Sequence, residues 1–167
     1  MTEARSQQAN VAFVLAKVHA RLRARGWTVA TGESVTGGLV VASLIDAPGA
    51  SDNVRGGIVA YGTDLKASLL GVDPQLLASV GPVAAGVAEA MARGASSALS
   101  ATIGLAVTGV AGPDPQGGTP VGTVHVACFI QPQAACEVRS QAFAGSRASI
   151  RNQAMVAAIE LLAECLG

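Results

Sequence analysis

Apolar residues recur every three or four positions near the N-terminus, at Val11, Val14, Leu15, Val18 and Leu22. This spacing predicts a first helix from about Gln8 to Arg25, which Gly26 ends. The run "WTVATG" that follows is short and apolar, and a glycine-rich turn comes after it. It therefore predicts a buried strand.

The middle of the chain alternates between the two patterns. A helix after Thr36 is predicted to end before the turn signal "APGAS", and "GGIVAYG" predicts a second strand. "TDLKASLLG" predicts a short helix with Thr63 as its N-cap. A helix built largely of alanine is predicted from about Val83 to Leu99, and it is expected to pack closely against a sheet or another subunit.

The C-terminal third contains three apolar runs and a last helix. "ATIGLAVTG" predicts a buried strand that leads into the loop "VAGPDPQGGTP". "GTVHVACFI" and "EVRSQAFAG" are separated by the turn "QPQAA", so they predict a hairpin, and a helix is predicted from Ser146 to Leu166. The order of elements predicts one α/β domain over residues 1–167, a sandwich with a mixed sheet and helices on its faces.

Composition narrows the class of protein. Half of the 167 residues are hydrophobic, 13% are charged and the formal net charge is zero, so we expect neither a nucleic-acid nor a membrane partner. No apolar run is long enough to span a bilayer, and "MTEARSQQAN" lacks a signal-peptide pattern. Cys128, Cys136 and Cys165 are widely spaced and fit reduced thiols in the cytoplasm.

Histidine usage disfavours two kinds of site. His19 lies in a helical stretch and His125 alternates within a strand, so neither is in a glycine-rich turn. A Ser-His-Asp triad is therefore not expected unless a distant histidine folds in. No His, Cys or carboxylate cluster has metal-ligand spacing, so we expect no metal.

The stretch "ATGESVTGGLVVA" resembles two motifs without matching either. Gly32 and Gly37 have the spacing of a phosphate-binding Walker A loop, but Gly38 stands at its lysine position. Gly32 and Ser34 also begin a nucleophile elbow, but Thr36 stands where its second glycine belongs. The missing lysine disfavours an ATPase.

This turn leads from a strand end into a helix, where open α/β folds bind ligands. Free amides at the helix start can hold a phosphate or an oxyanion, and Thr36, Gly37 and Gly38 are the candidate residues. Ser34 is the candidate nucleophile. In the alternative interpretation, Ser34 or Thr36 caps the helix.

Tyr61 and Lys66 follow the second predicted strand. If Thr63 is the N-cap, Lys66 is at N3, where the helix dipole disfavours the charged amine by about 0.3–1 kcal/mol. That is under about one pKa unit, so burial or a neighbouring arginine must lower the pKa further. A neutral lysine can accept a serine proton in place of histidine. In the alternative interpretation, Lys66 is solvated on an exposed helix.

Two later stretches add candidate binding groups. Thr108 and Gly109 begin a long Gly/Pro loop at the same predicted sheet edge, which is either a binding wall or a plain surface connection. Arg147 and Arg151 are four residues apart near a helix start, so they share a face. They suit a phosphate or carboxylate; otherwise they are a solvated pair.

Taken together, these stretches resemble the CinA C-terminal domain family, the nicotinamide-nucleotide amidases. The matching segments are "GESVTGGLV", "YGTDLK", "VTGVAGP", "PVGTV" and "FAGSRASIR", in the family's order, over about residues 8–166. The resemblance implies a three-layer α/β/α fold, usually oligomeric, here with a C-terminal hairpin plus helix. It also implies hydrolysis of the carboxamide of nicotinamide mononucleotide to nicotinate mononucleotide and ammonia, without metal or cofactor.

The resemblance also implies roles for individual residues. Ser34 matches the catalytic serine, Lys66 its basic partner, and Tyr61 lies beside them. Thr108 and Gly109 match the second active-site loop. The binding residues that match are Arg147 and, less directly, Arg151. On this basis we expect Lys66, assisted by Tyr61, to accept the serine proton and amides near Gly37 or Gly109 to stabilise the oxyanion.

This sequence departs from the family pattern at several positions. Gly32 and Val35 replace alanine and cysteine, Ala84 replaces a serine, and Thr119 replaces a lysine before "PVGT". The domain that precedes this region in many members is not matched, so the chain is similar to the stand-alone amidase form. The departures leave two alternatives open: a weakly active or inactive nucleotide-binding or regulatory module, and an amidase with a different substrate.

Overall fold

Six α-helices and five strands make up the computed structural model, which describes residues 2–167, with side chains from residue 9. The helices are α1 (Thr2–Arg25), α2 (Leu39–Ile45), α3 (Thr63–Leu70), α4 (Pro74–Val80), α5 (Ala85–Ala98) and α6 (Arg147–Cys165). The strands are β1 (Val29–Glu33), β2 (Val54–Val59), β3 (Ile103–Gly109), β4 (Thr123–Ile130) and β5 (Ala135–Ala142).

The strands form one mixed sheet in the order β2-β1-β3-β4-β5. β1 lies parallel to β2 and to β3, whereas β4 runs antiparallel to β3 and pairs with β5 as a hairpin. The carboxyl ends of β1, β2 and β3 therefore lie at one edge of the sheet, which is where α/β folds form ligand sites. The predicted α/β sandwich, mixed sheet and hairpin are confirmed.

Helices cover both faces of the sheet. α1, α2 and α6 pack on one face, against branched side chains such as Val29, Leu105 and Val126. α3, α4 and α5 cover the other face, where the strands contribute small residues such as Ala106 and Ala127. Small residues let the alanine-rich α5 lie close to the sheet, so the expected close packing of this helix is confirmed for the sheet.

Two glycines make the close approach of α5 possible. A Cβ on Gly104 of β3 would lie 1.8 Å from the carbonyl oxygen of Ala92 in α5. A Cβ on Gly94 of α5 would lie 1.8 Å from the carbonyl oxygen of Leu70, the last residue of α3. Any side chain at either position would force the layers apart.

Three details differ from the sequence-based predictions. α4 was not predicted; Asp73 caps it by accepting a hydrogen bond of 2.8 Å from the Gln75 amide, and Pro74 occupies its first position. Thr63 is not an N-cap: Gly62 holds that position, and Lys66 is therefore the fourth helical residue rather than the third. α1 begins at Thr2, before its apolar pattern starts.

The part of the chain that the structure describes contains no helix with the length and hydropathy needed to cross a bilayer.

Candidate active site

A cavity of about 160 Å³ opens at the carboxyl edge of β1, β2 and β3, beside the start of α6. The loops after these strands, the segment before α5 and residues of α3 and α6 line it: Ser34, Val35, Tyr61, Lys66, Pro82, Val83, Thr108, Gly109, Val110, Ala111, Gly112, Asp114, Gln116 and Arg147. Six of the ten predicted site residues are therefore in one cavity. Thr36, Gly37, Gly38 and Arg151 do not line it.

Ser34 is held rigidly at the floor of this cavity. It follows β1 directly; its amide donates to the Val107 carbonyl at 2.9 Å, and its carbonyl accepts from the Gly37 amide at 3.1 Å. The side chain is 8% exposed, and Oγ accepts a hydrogen bond of 3.1 Å from Lys66 Nζ. Ser34 does not cap α2, since Gly38 is the N-cap and has no side-chain bond.

Lys66 is a buried amine without a carboxylate partner. It is 1% exposed, and Nζ donates to Ser34 Oγ and, at 2.9 Å, to the Ala60 carbonyl. The ion pairs of the described residues join Arg93 to Glu89 and Arg139 to Glu164, not Lys66 to an acid. Burial lowers the pKa of the Lys66 amine, and the nearby Asp64 carboxylate opposes this shift only in part.

The solvated-lysine alternative is therefore wrong, and the cause of the pKa shift is burial rather than a neighbouring arginine. An amine with a lowered pKa is neutral over a wider pH range and has a free lone pair. At 3.1 Å from a hydroxyl it is placed to accept a proton.

Tyr61 and Arg147 form a separate pair at the mouth of the cavity. Arg147 Nη2 donates to the Tyr61 hydroxyl at 2.9 Å, and Nη1 donates to the Gly112 carbonyl. Tyr61 is 61% exposed, and among the described residues its hydroxyl makes no hydrogen bond to Lys66. Direct assistance of Lys66 by Tyr61 is thus not supported by the geometry; Tyr61 orients Arg147 instead.

Glu33 occupies the helix start that we expected to bind a ligand. Its carboxylate is buried and accepts hydrogen bonds from the amides of Gly38, Val40 and Val41 at 2.8–3.1 Å. The anion site created by the start of α2 is therefore filled by the protein itself. This corrects the predicted role of Thr36, Gly37 and Gly38 in ligand binding.

The two glycines of this turn have a backbone role instead. Gly37 and Gly38 have φ angles of 60° and 98°, in the left-handed region that disfavours other residues. Thr36 is buried, and its hydroxyl has no hydrogen-bond partner among the described residues. These residues shape the turn that presents Ser34; they do not line the cavity.

We expect Glu33→Gln to destabilise the fold by about 2–3 kcal/mol. Oε1 accepts from Val41 and Oε2 from Gly38 and Val40, so either orientation of a glutamine amide places an NH₂ group against a backbone donor. Urea unfolding measures the change in the free energy of unfolding, and Glu160→Gln on the exposed side of α6 is the matched control. Equal stability of the two variants would contradict this role of Glu33.

Arg151 stabilises the same turn from α6. Its Nε donates to the Val35 carbonyl at 3.0 Å and its Nη2 to the Thr36 carbonyl at 2.8 Å. The guanidinium is thus used by the backbone around Ser34. Although Arg147 and Arg151 share a helical face as predicted, only Arg147 reaches the cavity.

The second predicted loop lines the cavity, but Thr108 and Gly109 at its start also have structural roles. Thr108 is buried, and its hydroxyl donates to the Pro82 carbonyl at 2.8 Å, which ties β3 to the segment before α5. A Cβ on Gly109 would lie 2.7 Å from the Thr123 carbonyl oxygen, so packing against β4 already requires this glycine. Contacts within the protein therefore explain why threonine and glycine occupy these two positions, without a ligand.

Two backbone amides that were not predicted are candidate oxyanion donors in the cavity. The Gly37 amide already donates to Ser34. The amides of Val35 and Ala111 lie in residues that line the cavity and make no hydrogen bond among the described residues. The sequence analysis missed both, although Val35 follows the serine as the oxyanion donor does in a nucleophile elbow.

The histidines and the acidic residues do not complete a different kind of site. His19 Nδ1 lies 2.7 Å from Asn53 Oδ1 in the core, and His125 Nδ1 lies 2.8 Å from Ser140 Oγ on the hairpin. Neither histidine lines the cavity. Within the described part of the chain there is no group of three or more His, Cys, Asp or Glu side chains that can hold a metal ion.

The departures from the family pattern differ in their distance from the cavity. Val35 lines it, whereas Ala84 is the N-cap of α5, with no side-chain bond, and does not line it. Thr119 also lies outside the lining, where its backbone pairs with that of Gln116.

Comparison with known proteins gives consistent matches. The family model for the CinA C-terminal domain matches residues 12–166. A CinA-like protein of Frankia casuarinae is 50% identical over 142 residues, covering 85% of this chain and 32% of that protein. A CinA-like protein of Mycolicibacterium paratuberculosis is 45% identical over 153 residues, covering 88% and 35%. The chain spans about a third of the length of these relatives.

Solved structures match over nearly their whole length. The competence-damaged protein (CinA) superfamily protein from Enterobacter cloacae superposes with a TM-score of 0.90 at 28% identity, covering 94% of this chain and 92% of that one. The competence/damage inducible protein CihA from Agrobacterium tumefaciens gives 0.88 at 32% identity, covering 93% and 94%.

Proposed function

This chain belongs to the CinA C-terminal domain family, and on that premise we propose that it is an amidohydrolase that converts nicotinamide mononucleotide to nicotinate mononucleotide and ammonia. The observation that carries the proposed chemistry is the buried contact of 3.1 Å between Lys66 Nζ and Ser34 Oγ. The substrate follows from the resemblance of the motifs around these residues to the nicotinamide-nucleotide amidases.

The first half of the proposed reaction acylates the serine. Neutral Lys66 accepts the Ser34 proton while Oγ attacks the carboxamide carbon, and the carbonyl oxygen becomes an oxyanion. The free amides of Val35 and Ala111 donate to this oxyanion. The C–N bond then breaks, and the Lys66 ammonium returns its proton to the departing ammonia.

The second half hydrolyses the acyl-enzyme. Lys66 accepts a proton from water, the hydroxide attacks the ester carbon, and the C–O bond to Ser34 breaks with return of the proton to Oγ. The product is released as the carboxylic acid of the mononucleotide, and the serine and the neutral amine are restored. The acid then gives its proton to the released ammonia, so the overall products are the carboxylate and ammonium.

Arg147 is the proposed phosphate-binding residue. It lies at the cavity mouth at the first position of α6, and among the described residues it forms no ion pair with a carboxylate. A phosphate can replace its contacts with Tyr61 and Gly112 by charge-assisted hydrogen bonds, which are about twice as strong as neutral ones. This arrangement favours a phosphorylated nicotinamide over free nicotinamide.

A nucleotide-binding module without turnover is the second candidate function. Ala84 supports it, since an alanine at the N-cap of α5 provides no hydroxyl near the segment that lines the cavity. The main proposal also includes that the protein is cytoplasmic, forms homo-oligomers and needs no cofactor.

An ammonia assay tests the main proposal. We expect ammonia release from nicotinamide mononucleotide and a much lower kcat/KM for free nicotinamide, because the latter lacks a group for Arg147. The dinucleotide serves as a third substrate to detect a shifted specificity. Binding of the mononucleotide in calorimetry without ammonia formation over hours would instead select the binding module.

A further inference from the structure

The loop after β3 contributes two polar residues to the cavity lining, and backbone hydrogen bonds hold this loop at both ends. At its base, the Val110 amide donates to Thr123 at 2.9 Å and the Gly122 amide donates to Val110 at 2.7 Å. At its tip, Gln116 and Thr119 exchange backbone hydrogen bonds of 3.1 and 2.8 Å. Bonds at both ends restrict how far the segment between them can move.

Asp114 and Gln116 lie on this loop and line the same cavity as Ser34 and Arg147. Among the described residues, neither side chain makes a hydrogen bond, and the ion pairs found there do not include Asp114. Lys66 and Arg147, in contrast, each donate to two protein acceptors. Asp114 and Gln116 thus add an anionic acceptor and a neutral amide to the polar groups of the cavity lining that have no protein partner among the described residues.

The Asp114 carboxylate repels the phosphate and the developing oxyanion of the proposed substrate. It therefore fits a part of the substrate that is a neutral hydrogen-bond donor. A nucleoside monophosphate carries such donors on its ribose, between the base and the phosphate. With the carboxamide at Ser34 and the phosphate at Arg147, the ribose lies between these two points. The loop supplies the wall there, since Asp114 and Gln116 line the cavity that these two residues share.

We propose that Asp114 and Gln116 bind the ribose hydroxyls of the substrate and select a ribonucleotide. The inference rests on the proposed function and names the specificity residues of that site. An acidic side chain that accepts from a ribose hydroxyl is the solution that dinucleotide-binding folds also use. The Gln116 amide can donate to one hydroxyl oxygen and accept from the other hydroxyl.

Asp114→Ala tests this assignment with two substrates, nicotinamide mononucleotide and its 2′,3′-dideoxyribose analogue. We expect kcat/KM for the ribonucleotide to fall about tenfold or more, because hydrogen bonds to a charged group are lost. The value for the dideoxy analogue is expected to stay at that of the wild type, since this substrate lacks the hydroxyls. Gln116→Ala should show the same selective loss.

Glu160→Ala, which removes an exposed carboxylate from α6, controls for the change in net charge. An unchanged kcat/KM for the ribonucleotide in Asp114→Ala, or an equal loss with both substrates, overturns the assignment. Unfolding midpoints equal to that of the wild type confirm that the variants are folded.

Calorimetry separates this inference from the proposed function. If the wild type binds nicotinamide mononucleotide but releases no ammonia, the amidase proposal fails. The ribose assignment is then decided by Kd: Asp114→Ala and Gln116→Ala should weaken binding of the ribonucleotide but not of the dideoxy analogue. If the wild type neither hydrolyses nor binds the mononucleotide, both proposals are overturned.

Discussion

Replacement of Ser34 by alanine is expected to reduce ammonia release from nicotinamide mononucleotide by on the order of 10⁴-fold or more. The acyl-enzyme cannot form without Oγ, which is the proposed nucleophile. Substrate affinity should change little, because the phosphate-binding Arg147 and the loop after β3 are untouched. Single-turnover assays and calorimetry on the same preparation measure both quantities.

Ser79→Ala is the matched control, since the exposed Ser79 hydroxyl bonds only the Leu76 carbonyl within α4. It should retain the activity of the wild type. A Ser34→Ala protein that still released ammonia at the original rate would exclude the covalent route, whatever the behaviour of the control.

Lys66→Met is expected to remove activity as completely as the serine substitution, because no other base lies within hydrogen-bond distance of Ser34 Oγ among the described residues. The same variant should also change how stability depends on pH. Burial lowers the pKa of Lys66, so between this lowered pKa and the unfolded value of about 10.5 the unfolded chain binds more protons than the folded one.

The sign of the effect follows from this difference in bound protons. The free energy of unfolding of the wild type rises with pH across that window and no longer gains from Lys66 above the unfolded pKa. Each unit by which the folded pKa is lowered corresponds to about 1.4 kcal/mol. Lys66→Met lacks this contribution, so its stability relative to the wild type is greatest at low pH and declines as the pH rises.

Lys17→Met provides a close control, because Lys17 and Lys66 are the two lysines of the chain and Lys17 is exposed on α1. Urea unfolding at several pH values should give parallel curves for the wild type and Lys17→Met, and a flatter dependence for Lys66→Met. In activity assays, kcat/KM of the wild type should rise with pH through the lowered pKa. A rate that falls over this range would contradict a neutral lysine as the base.

The fold was predictable from the sequence because its elements carry clear hydrophobic patterns. Sequence patterns identified the strands and the helices other than α4, which has no fully buried residue and therefore no clear core-facing stripe. The candidate pair was predictable as well: Ser34 and Lys66 follow strands whose carboxyl ends share an edge. That β1 and β2 are neighbours in the sheet depends on tertiary packing, which local patterns do not encode.

The parts of the site that were misplaced from the sequence have two physical causes. A helix start attracts any anion, and the sequence alone does not distinguish a ligand from the protein's own Glu33. Arginines on one helical face need not share a partner, because a long side chain reaches the acceptor nearest to it. Arg151 accordingly bonds the turn beside Ser34, whereas Arg147 reaches the cavity.

The distance between the Ser34 hydroxyl and the Lys66 amine also depends on two glycines that lack a Cβ atom. α5 lies against β3 because Gly104 has no Cβ, and α3 ends against α5 because Gly94 has none. Ser34 is fixed to the sheet and Lys66 to α3, so a thicker middle layer would pull the donor away from its acceptor. Substitution of Gly94 or Gly104 should therefore impair proton transfer between Ser34 and Lys66, although neither glycine lines the cavity.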